Sequence, residues 1–391
     1  MCDNRHYISE APLSLNSVRR RVEAFLAANG LRLAPLDRYV VVTRDEDGDE
    51  ILAGGGLDGN VIKCVAVSES ARSEGLMNIL VSRLIAIARE EGRESVKAFT
   101  KPENEGIFKS LGFALIASSP NAILMENGRG GLPEYRKYLE SLARPGRNGA
   151  IVMNANPFTK GHRYLVEQAA SQVDNLYVIV VKEDRSRFPY VERKAMIEAG
   201  CAGLDNVIVC EGSDYAISAA TFPTYFLKKL DDATDTQIAL DLDLFVNHIA
   251  KPLGVTVRFA GSEPEDALTR RYNELMAEIL PGTSVAVVRQ AHQPDPELVK
   301  GSELRQARRP IDFVEIPRLE QKGKPLSATS LRRALDKGGF KEAMEYIPKS
   351  TVPYLVADLA ERALRLDSTR PPNRDSWTGV TTVPTRIWTT R

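Results

Sequence analysis

The chain predicts two α/β modules in tandem, an α+β unit at the N-terminus and a doubly wound parallel sheet behind it. Three observations carry this reading. From residue 149 onward, apolar strand-length runs alternate with amphipathic helical stretches, the pattern of a parallel sheet with crossover helices. Before residue 130, strands separated by turn chemistry accompany one long amphipathic helix. Residues 151–162, Ile-Val-Met-Asn-Ala-Asn-Pro-Phe-Thr-Lys-Gly-His, run an apolar strand through a tight turn into a helix. The 391 residues also exceed what one core normally holds.

In the first module, residues 38–43 and 50–53 read as strands, with the acidic, Gly-containing turn 45–50 between them. Gly54-Gly55-Gly56 predicts a tight bend, and 61–67 another strand. Leu76, Ile79, Leu80, Leu84 and Ile87 give a helix over about 75–92. A strand at 95–100 and a short helix at 103–110 follow, and the module is expected to span 1–130. Gly130, Gly131, Pro145 and Gly146 around a polar helix predict a linker at 131–148.

The second module, 149–367, reads as strands at 149–153, 175–181, 206–210, 237–241 and 255–260, with helices at 161–173, 190–200, 222–230, 243–251 and 266–279. Residues 281–310 lack sustained periodicity and read as an inserted loop. The Thr-, Pro- and Arg-rich stretch 368–391 has too little apolar content to pack alone and is expected to be a disordered tail, docking being the alternative.

Composition narrows the function. The 52 basic and 52 acidic residues cancel, so no polybasic surface for nucleic acid or an anionic membrane is expected. No apolar run reaches transmembrane length, and the start lacks a signal-peptide core. Cys2, Cys64, Cys201 and Cys210 show no metal or redox spacing, which fits a reducing cytoplasm. The four histidines are scattered and make no metal pattern, so no protein-held metal is expected.

The chemistry lies in the strand–turn–helix segment. A helix start offers free N–H groups and a partial positive charge, and in doubly wound sheets ligands sit beyond the carboxyl ends of the strands. Gly161 lets phosphate oxygens approach the backbone, and His162 can donate to a phosphate. A second helix start, Leu326-Ser327-Ala328-Thr329-Ser330-Leu331-Arg332, offers hydroxyls and N–H groups for further phosphates, or a plain helix cap with an exposed Arg332.

The segment Thr159-Lys160-Gly161-His162 resembles the T/H-x-G-H signature of the nucleotidylyltransferase superfamily. Residues 326–332 resemble that superfamily's second signature, Ile-Ser-Ser-Thr-x-x-Arg. The strings at 154–169, 181–190 and 221–228 are similar to the citrate lyase ligase family, over roughly residues 1–367. The N-terminal order resembles the GNAT-type acetyltransferase fold, whose CoA-pyrophosphate loop here reads Arg72-Ser73-Glu74-Gly75-Leu76-Met77. Met77 stands where that loop expects a small residue.

The resemblance implies ATP with Mg2+ as cofactors. It implies acetate as substrate, activated as acetyl-AMP. It implies the acyl-carrier subunit of citrate lyase, with its CoA-like prosthetic group, as partner. A cofactor-making adenylyltransferase and a non-catalytic nucleotide-sensing adaptor are the alternatives. His162 and Thr159 are expected on the ATP phosphates, with Asn154, Asn156 and Phe158 shaping the loop, although Phe158 also fits a core anchor. Lys182 and Arg193 are candidates for the triphosphate or the acid. Lys182 equally suits a solvated strand end, and Arg193 a pair with Glu192 or Glu198. Gly261, Ser262 and Glu263 occupy a position that holds adenine or ribose in related folds, and they also suit a helix cap. Ser327, Thr329, Ser330 and Arg332 complete the expected phosphate site. Asp241 and Asp243 are weaker candidates for indirect metal contact.

Overall fold

The computed structural model describes residues 6–44, 50–128, 130–182, 186–213, 215, 233–263, 266–287, 307–321, 324–337 and 339–368. The turn at 45–49, the expected helix at 222–230, most of the insert and the tail from 369 lie outside them.

The first module is a seven-stranded sheet: β1 (Tyr7–Glu10), β2 (Arg38–Thr43), β3 (Ile51–Asp58), β4 (Val61–Val67), β5 (Ser95–Thr100), β6 (Ala114–Ser118) and β7 (Ile123–Gly128), in the order β1-β2-β3-β4-β5-β7-β6. Helices α1 (Asn16–Ala28), α2 (Leu76–Glu90) and α3 (Glu105–Ser110) complete it. β1 and α1 are not among the expected elements, although α1 carries Val18, Val22, Phe25 and Leu26 at helical spacing and packs them on the core. Strands β4 and β5 run parallel, pair only at Val61–Lys97 and Ile62–Ala98, and part beyond. This is the GNAT-like arrangement. Helix α2 starts after Gly75, whose φ of 72° closes the preceding turn, and Met77 in its first turn packs partly on the core.

The expected tight bend at Gly54–Gly56 is not a turn: β3 continues through the three glycines, and the irregularity there is a register shift against β4 between Gly54 and Gly56. They serve close approach instead. A Cβ on Gly54 would meet the Tyr39 hydroxyl at 2.5 Å, and one on Gly56 would meet the Arg38 carbonyl at 2.5 Å.

The 131–148 segment is not a free linker. It holds α4 (Leu132–Leu142), which buries Leu132 and Leu139. The second module then lays down β8 (Asn148–Met153), α5 (Lys160–Ala170), β9 (Asn175–Val180), α6 (Tyr190–Cys201) and β10 (Val207–Cys210). Next come α7 (Ala233–Leu244), a π-helical stretch (Phe245–Ala250), α8 (Lys251–Leu253), β11 (Val255–Gly261) and α9 (Ala267–Ile279). The ribbon β12 (Ser284–Val287) and β13 (Ala307–Pro310) precedes β14 (Asp312–Ile316), the short pair β15 (Glu320–Gln321) and β16 (Lys324–Pro325), and α10 (Ala328–Asp336), α11 (Phe340–Tyr346) and α12 (Val352–Ser368). The five-stranded sheet β10-β9-β8-β11-β14 is parallel throughout. Strand order reverses between β8 and β11, which places a crevice at their carboxyl ends.

The expected strand at 237–241 is helix α7. Ile238, Leu240, Leu242 and Leu244 alternate like a strand, but each is at most 1% exposed because the helix is covered all round. It lies between β6 of the first sheet and α9 of the second. Hydrogen bonds fix it to the first module: Ser118 N donates to Asp243 Oδ2 at 2.9 Å, and His248 Nε2 donates to the Ile116 carbonyl at 2.8 Å. One apolar cluster therefore joins Leu26, Tyr39 and Leu124 of the first module to Leu139, Tyr177 and Leu240. Among the described residues no helix is long and apolar enough to cross a membrane.

Two predictions follow from this packing. A chain beginning at Arg147 loses α4 and one wall of the shared core, so it is expected to lack the cooperative melting of the full chain. A cooperative melt within a few degrees of full length would show the second module to be self-sufficient. Conversely, Val287 and Ala307 are paired neighbours in the β12–β13 ribbon. Replacing 288–306 by a short hairpin turn should leave the melting temperature nearly unchanged, since loop-closure entropy varies slowly with length. A large drop in melting temperature would show that the segment packs on the core.

Candidate active site

A cleft of about 850 Å3 opens at the carboxyl ends of β8 and β11, where the parallel sheet reverses order. Asn154, Asn156, Thr159, Gly161, His162, Gly261, Glu263, Ser327, Thr329 and Arg332 all line it. Residues far apart in sequence thus meet in one crevice.

After β8 the chain turns through Ala155, whose φ of 47° is rare for a side-chain-bearing residue, and a cis bond between Asn156 and Pro157. Thr159 then caps α5. Its Oγ1 accepts from His162 N at 3.3 Å, while Thr159 N donates to His162 Nδ1 at 3.0 Å. The imidazole takes the place that Glu or Gln fills in an ordinary capping box. Because Nδ1 is the acceptor, the neutral ring carries its proton on Nε2. Burial, followed by the nearby Arg318 and Arg332 charges, pulls the His162 pKa down to about 4. At neutral pH His162 is an uncharged donor of fixed orientation.

The second motif repeats the device. Ser327 caps α10, its Oγ accepting from Ser330 N at 3.0 Å and donating to Ser330 Oγ at 2.9 Å. Arg332 ties the two motifs together: Nη1 donates to the Asn156 carbonyl at 2.6 Å and Nη2 to Thr329 Oγ1 at 3.0 Å. Gly161 has a packing reason as well, since a Cβ there would sit 3.0 Å from the Leu326 carbonyl. The α5 start and the chain entering the second motif can approach this closely only with glycine. Two helix N-termini, with their free first-turn N–H groups, consequently face one space.

Several expected ligand residues sit elsewhere. Phe158 is fully buried, outside the cleft, and stacks on the His162 ring with centroids 5.7 Å apart, so it is the core anchor of the two readings. Arg193 does not reach the cleft. Its side chain is 0% exposed, and it donates through Nη1 to Asn154 O (2.9 Å), Asn154 Oδ1 (2.6 Å) and Val181 O (2.9 Å), and through Nε to Phe188 O (3.1 Å). It is a brace for the loop and has no geometry for the triphosphate; nor is Glu192 or Glu198 its partner in these bonds.

Lys182 lies one residue beyond the cleft wall at Val181 and exerts its charge on Glu211. Ser262 is turned to β14, its Oγ accepting from Arg318 N at 3.1 Å. It does not cap α9, whose N-cap is Asp266, accepting from Leu268 N at 3.2 Å. Ser330 supports the Ser327 cap from within the helix. Asp243 is spent on the inter-module contact, while Asp241 accepts the Tyr272 hydroxyl beside the cleft.

Sequence reasoning missed Arg318, which lines the cleft, donates through Nε to the Ser262 carbonyl at 2.7 Å and pairs with Glu263. A signal was there: the short β-prone stretch Phe313-Val314-Glu315-Ile316 is followed by Pro317-Arg318, a basic residue just past a strand's carboxyl end. It lies directly behind the irregular 281–310 stretch, which obscures it.

The nucleotide-free protein should show a His162 imidazole titrating near pH 4, read by NMR of the ring. Its unfolded value is about 6.5. Between those values the unfolded state binds more protons, so the histidine's contribution to stability is complete above about 6.5 and is lost as pH falls towards 4. A midpoint near 6.5 would remove the buried, arginine-flanked environment.

Residues 148–355 match the model of the citrate lyase ligase C-terminal domain. The [citrate [pro-3S]-lyase] ligase of Escherichia coli strain K12 is 38% identical over 345 residues, covering 88% of this chain and 91% of that protein. The same-named protein of Klebsiella pneumoniae is 39% identical, covering 88% and 94%. A GNAT-family acetyltransferase structure from Staphylococcus aureus aligns with 32% of this chain and 100% of its own, at 12% identity and a TM-score of 0.27. With its family domain matched across the cleft and relatives aligned along most of its length, the chain belongs to the [citrate [pro-3S]-lyase] ligase family.

Proposed function

We propose that the cleft binds ATP with its magnesium and activates acetate as acetyl-AMP, and that the acetyl group then passes to the thiol of the CoA-like prosthetic group on the acyl-carrier subunit of citrate lyase. In the first step a carboxylate oxygen attacks the α-phosphorus, the bond to the β-phosphate oxygen breaks, and pyrophosphate leaves. In the second, the thiol sulfur attacks the acyl carbon, AMP leaves, and the thiol proton is released. Neither step needs a covalent protein intermediate; the protein's part is alignment and charge stabilisation.

The observation that carries this reading is the convergence of two capped helix starts, Arg332 and the Nε2–H of His162 on one crevice. Magnesium would travel on the phosphates and keep most of its waters. The lyase, its carrier and acetate enter through the names of the relatives and the sequence resemblance. The parted β4 and β5 strands of the first module suit an extended pantetheine arm, as in the fold they resemble.

Pyrophosphate release from ATP is the test, measured with and without acetate. Release should depend on acetate, and His162→Ala should lower turnover about 10²-fold, the range for losing one preorganised transition-state donor. The variant should melt close to the parent. Acetate-independent release, release driven instead by phosphopantetheine or a mononucleotide, or near-parental turnover of the variant would count against the mechanism.

A further inference from the structure

Arg258 has no role in the phosphate geometry described above, and its surroundings are unusual for an arginine. It lies in β11 between Val257 and Phe259, which pack on the α5 side of the sheet. Alternation along the strand sends Arg258 to the opposite face, towards the first module. There it is 4% exposed, with its guanidinium carbon 4.2 Å from the Phe245 ring centroid. Its Nε and Nη1 are buried without a hydrogen-bond partner among the described residues.

Its environment suits a ligand. Arg258 lines the same cleft as His162 and also a small adjoining cavity walled by Val152, Phe245 and Ile249. The Asp241 charge lies near it, and Asp241 accepts the Tyr272 hydroxyl. A guanidinium withdrawn from water without hydrogen bonds is costly, and an apolar side chain of similar size would serve the fold at least as well. A charged group with unused donors matches a carboxylate, whose oxygens accept charge-assisted N–H bonds. The helix starts gather at one end of the cleft, whereas Arg258 has Phe245 against it and Val152 and Ile249 beside it, apolar walls for the end of a short acyl chain lying in the main cleft.

We infer that Arg258 is the carboxylate-binding residue of the cleft, holding a short-chain carboxylic acid with its acyl end among these apolar side chains. This rests on the acid-activation reading above. The guanidinium takes the carboxylate by charge-assisted hydrogen bonds and orients it, and the bond-making step is the one already given.

Arg258→Met removes the charge and the fork while keeping much of the bulk; Arg258→Lys keeps the charge alone. Both should melt at or above the parent temperature. In pyrophosphate release, KM for acetate should rise at least tenfold in each, while KM for ATP and calorimetric binding of ATP stay within twofold. Added guanidinium ion should partly restore acetate-dependent turnover to Arg258→Ala. If the parent enzyme releases no pyrophosphate with any acid, the activation reading fails by itself. The site is then decided by calorimetry with acetate, propionate and neutral acetamide, where acid-specific heat lost in Arg258→Met supports it. An unchanged acetate KM, a parallel rise in ATP KM, loss of cooperative melting in both variants, or no turnover together with no acid-specific heat in the parent overturns it.

Discussion

The buried guanidinium of Arg193 sets the shape of the loop on which the cleft depends. Parallel strands end with carbonyls that the ladder no longer satisfies, and at β8 and β9 these ends lie close together in the interior. Arg193 reaches up from α6 and satisfies the Asn154, Val181 and Phe188 carbonyls with one side chain. The turn it braces then presents Asn156, whose side chain accepts from Phe188 N at 3.1 Å and whose carbonyl accepts Arg332. Leaving a buried carbonyl unsatisfied costs about 1–3 kcal/mol, so losing all three is a large share of a domain's net stability. The geometry of the cleft wall is therefore maintained from behind by a residue that does not itself line the cleft.

The same brace explains what was legible in the sequence. Motif residues at strand ends and helix starts, such as Thr159, His162, Ser327 and Arg332, declare themselves because their types suit those local positions. Their roles follow from neighbours a few residues away. Arg193 declares only its charge; whether it faces solvent, a nearby glutamate or three buried carbonyls depends on how β8, β9 and α6 meet. Phe158 is legible as aromatic, but its place beneath His162 depends on Gly200, where a Cβ would stand 2.3 Å from the Phe158 ring. Arg258, inside a strand, falls outside every local pattern, whereas Arg318 follows a strand end whose signal is obscured by the irregular segment before it.

Helix α7 shows the limit of periodicity from the other side. A helix half-covered by protein displays its apolar stripe at helical spacing. α7 is covered on both sides, by the β6 edge and by α9, so the constraint that would write such a stripe is missing. What is left is a short alternating run that reads as a strand. The error thus marks an interface, and that interface makes the two modules one core despite the change of sheet between them. Tyr215, from the loop after β10, reinforces it. Its hydroxyl donates to Glu126 Oε1 at 2.5 Å, and Lys97 lies 4.0 Å from its ring centroid, both partners being in the first sheet.

The electrostatics of the cleft follow from how each cation is held. Arg318 is paired with Glu263, and Arg332 spends donors on Asn156 and Thr329, so neither is a loose charge waiting for phosphate. Burial first, and their summed field after it, keep His162 neutral. A neutral imidazole whose Nδ1 is fixed by the Thr159 N–H can only donate from Nε2, which makes it a directional donor instead of a diffuse positive charge. An anion beside the ring opposes the arginine field and polarises the Nε2–H, so the donor strengthens as negative charge gathers there. Under the function proposed above, the arginines and helix starts would supply attraction for a polyanion in general and His162 a preference for charge at one point, which is the difference between binding a ground state and stabilising a transition state.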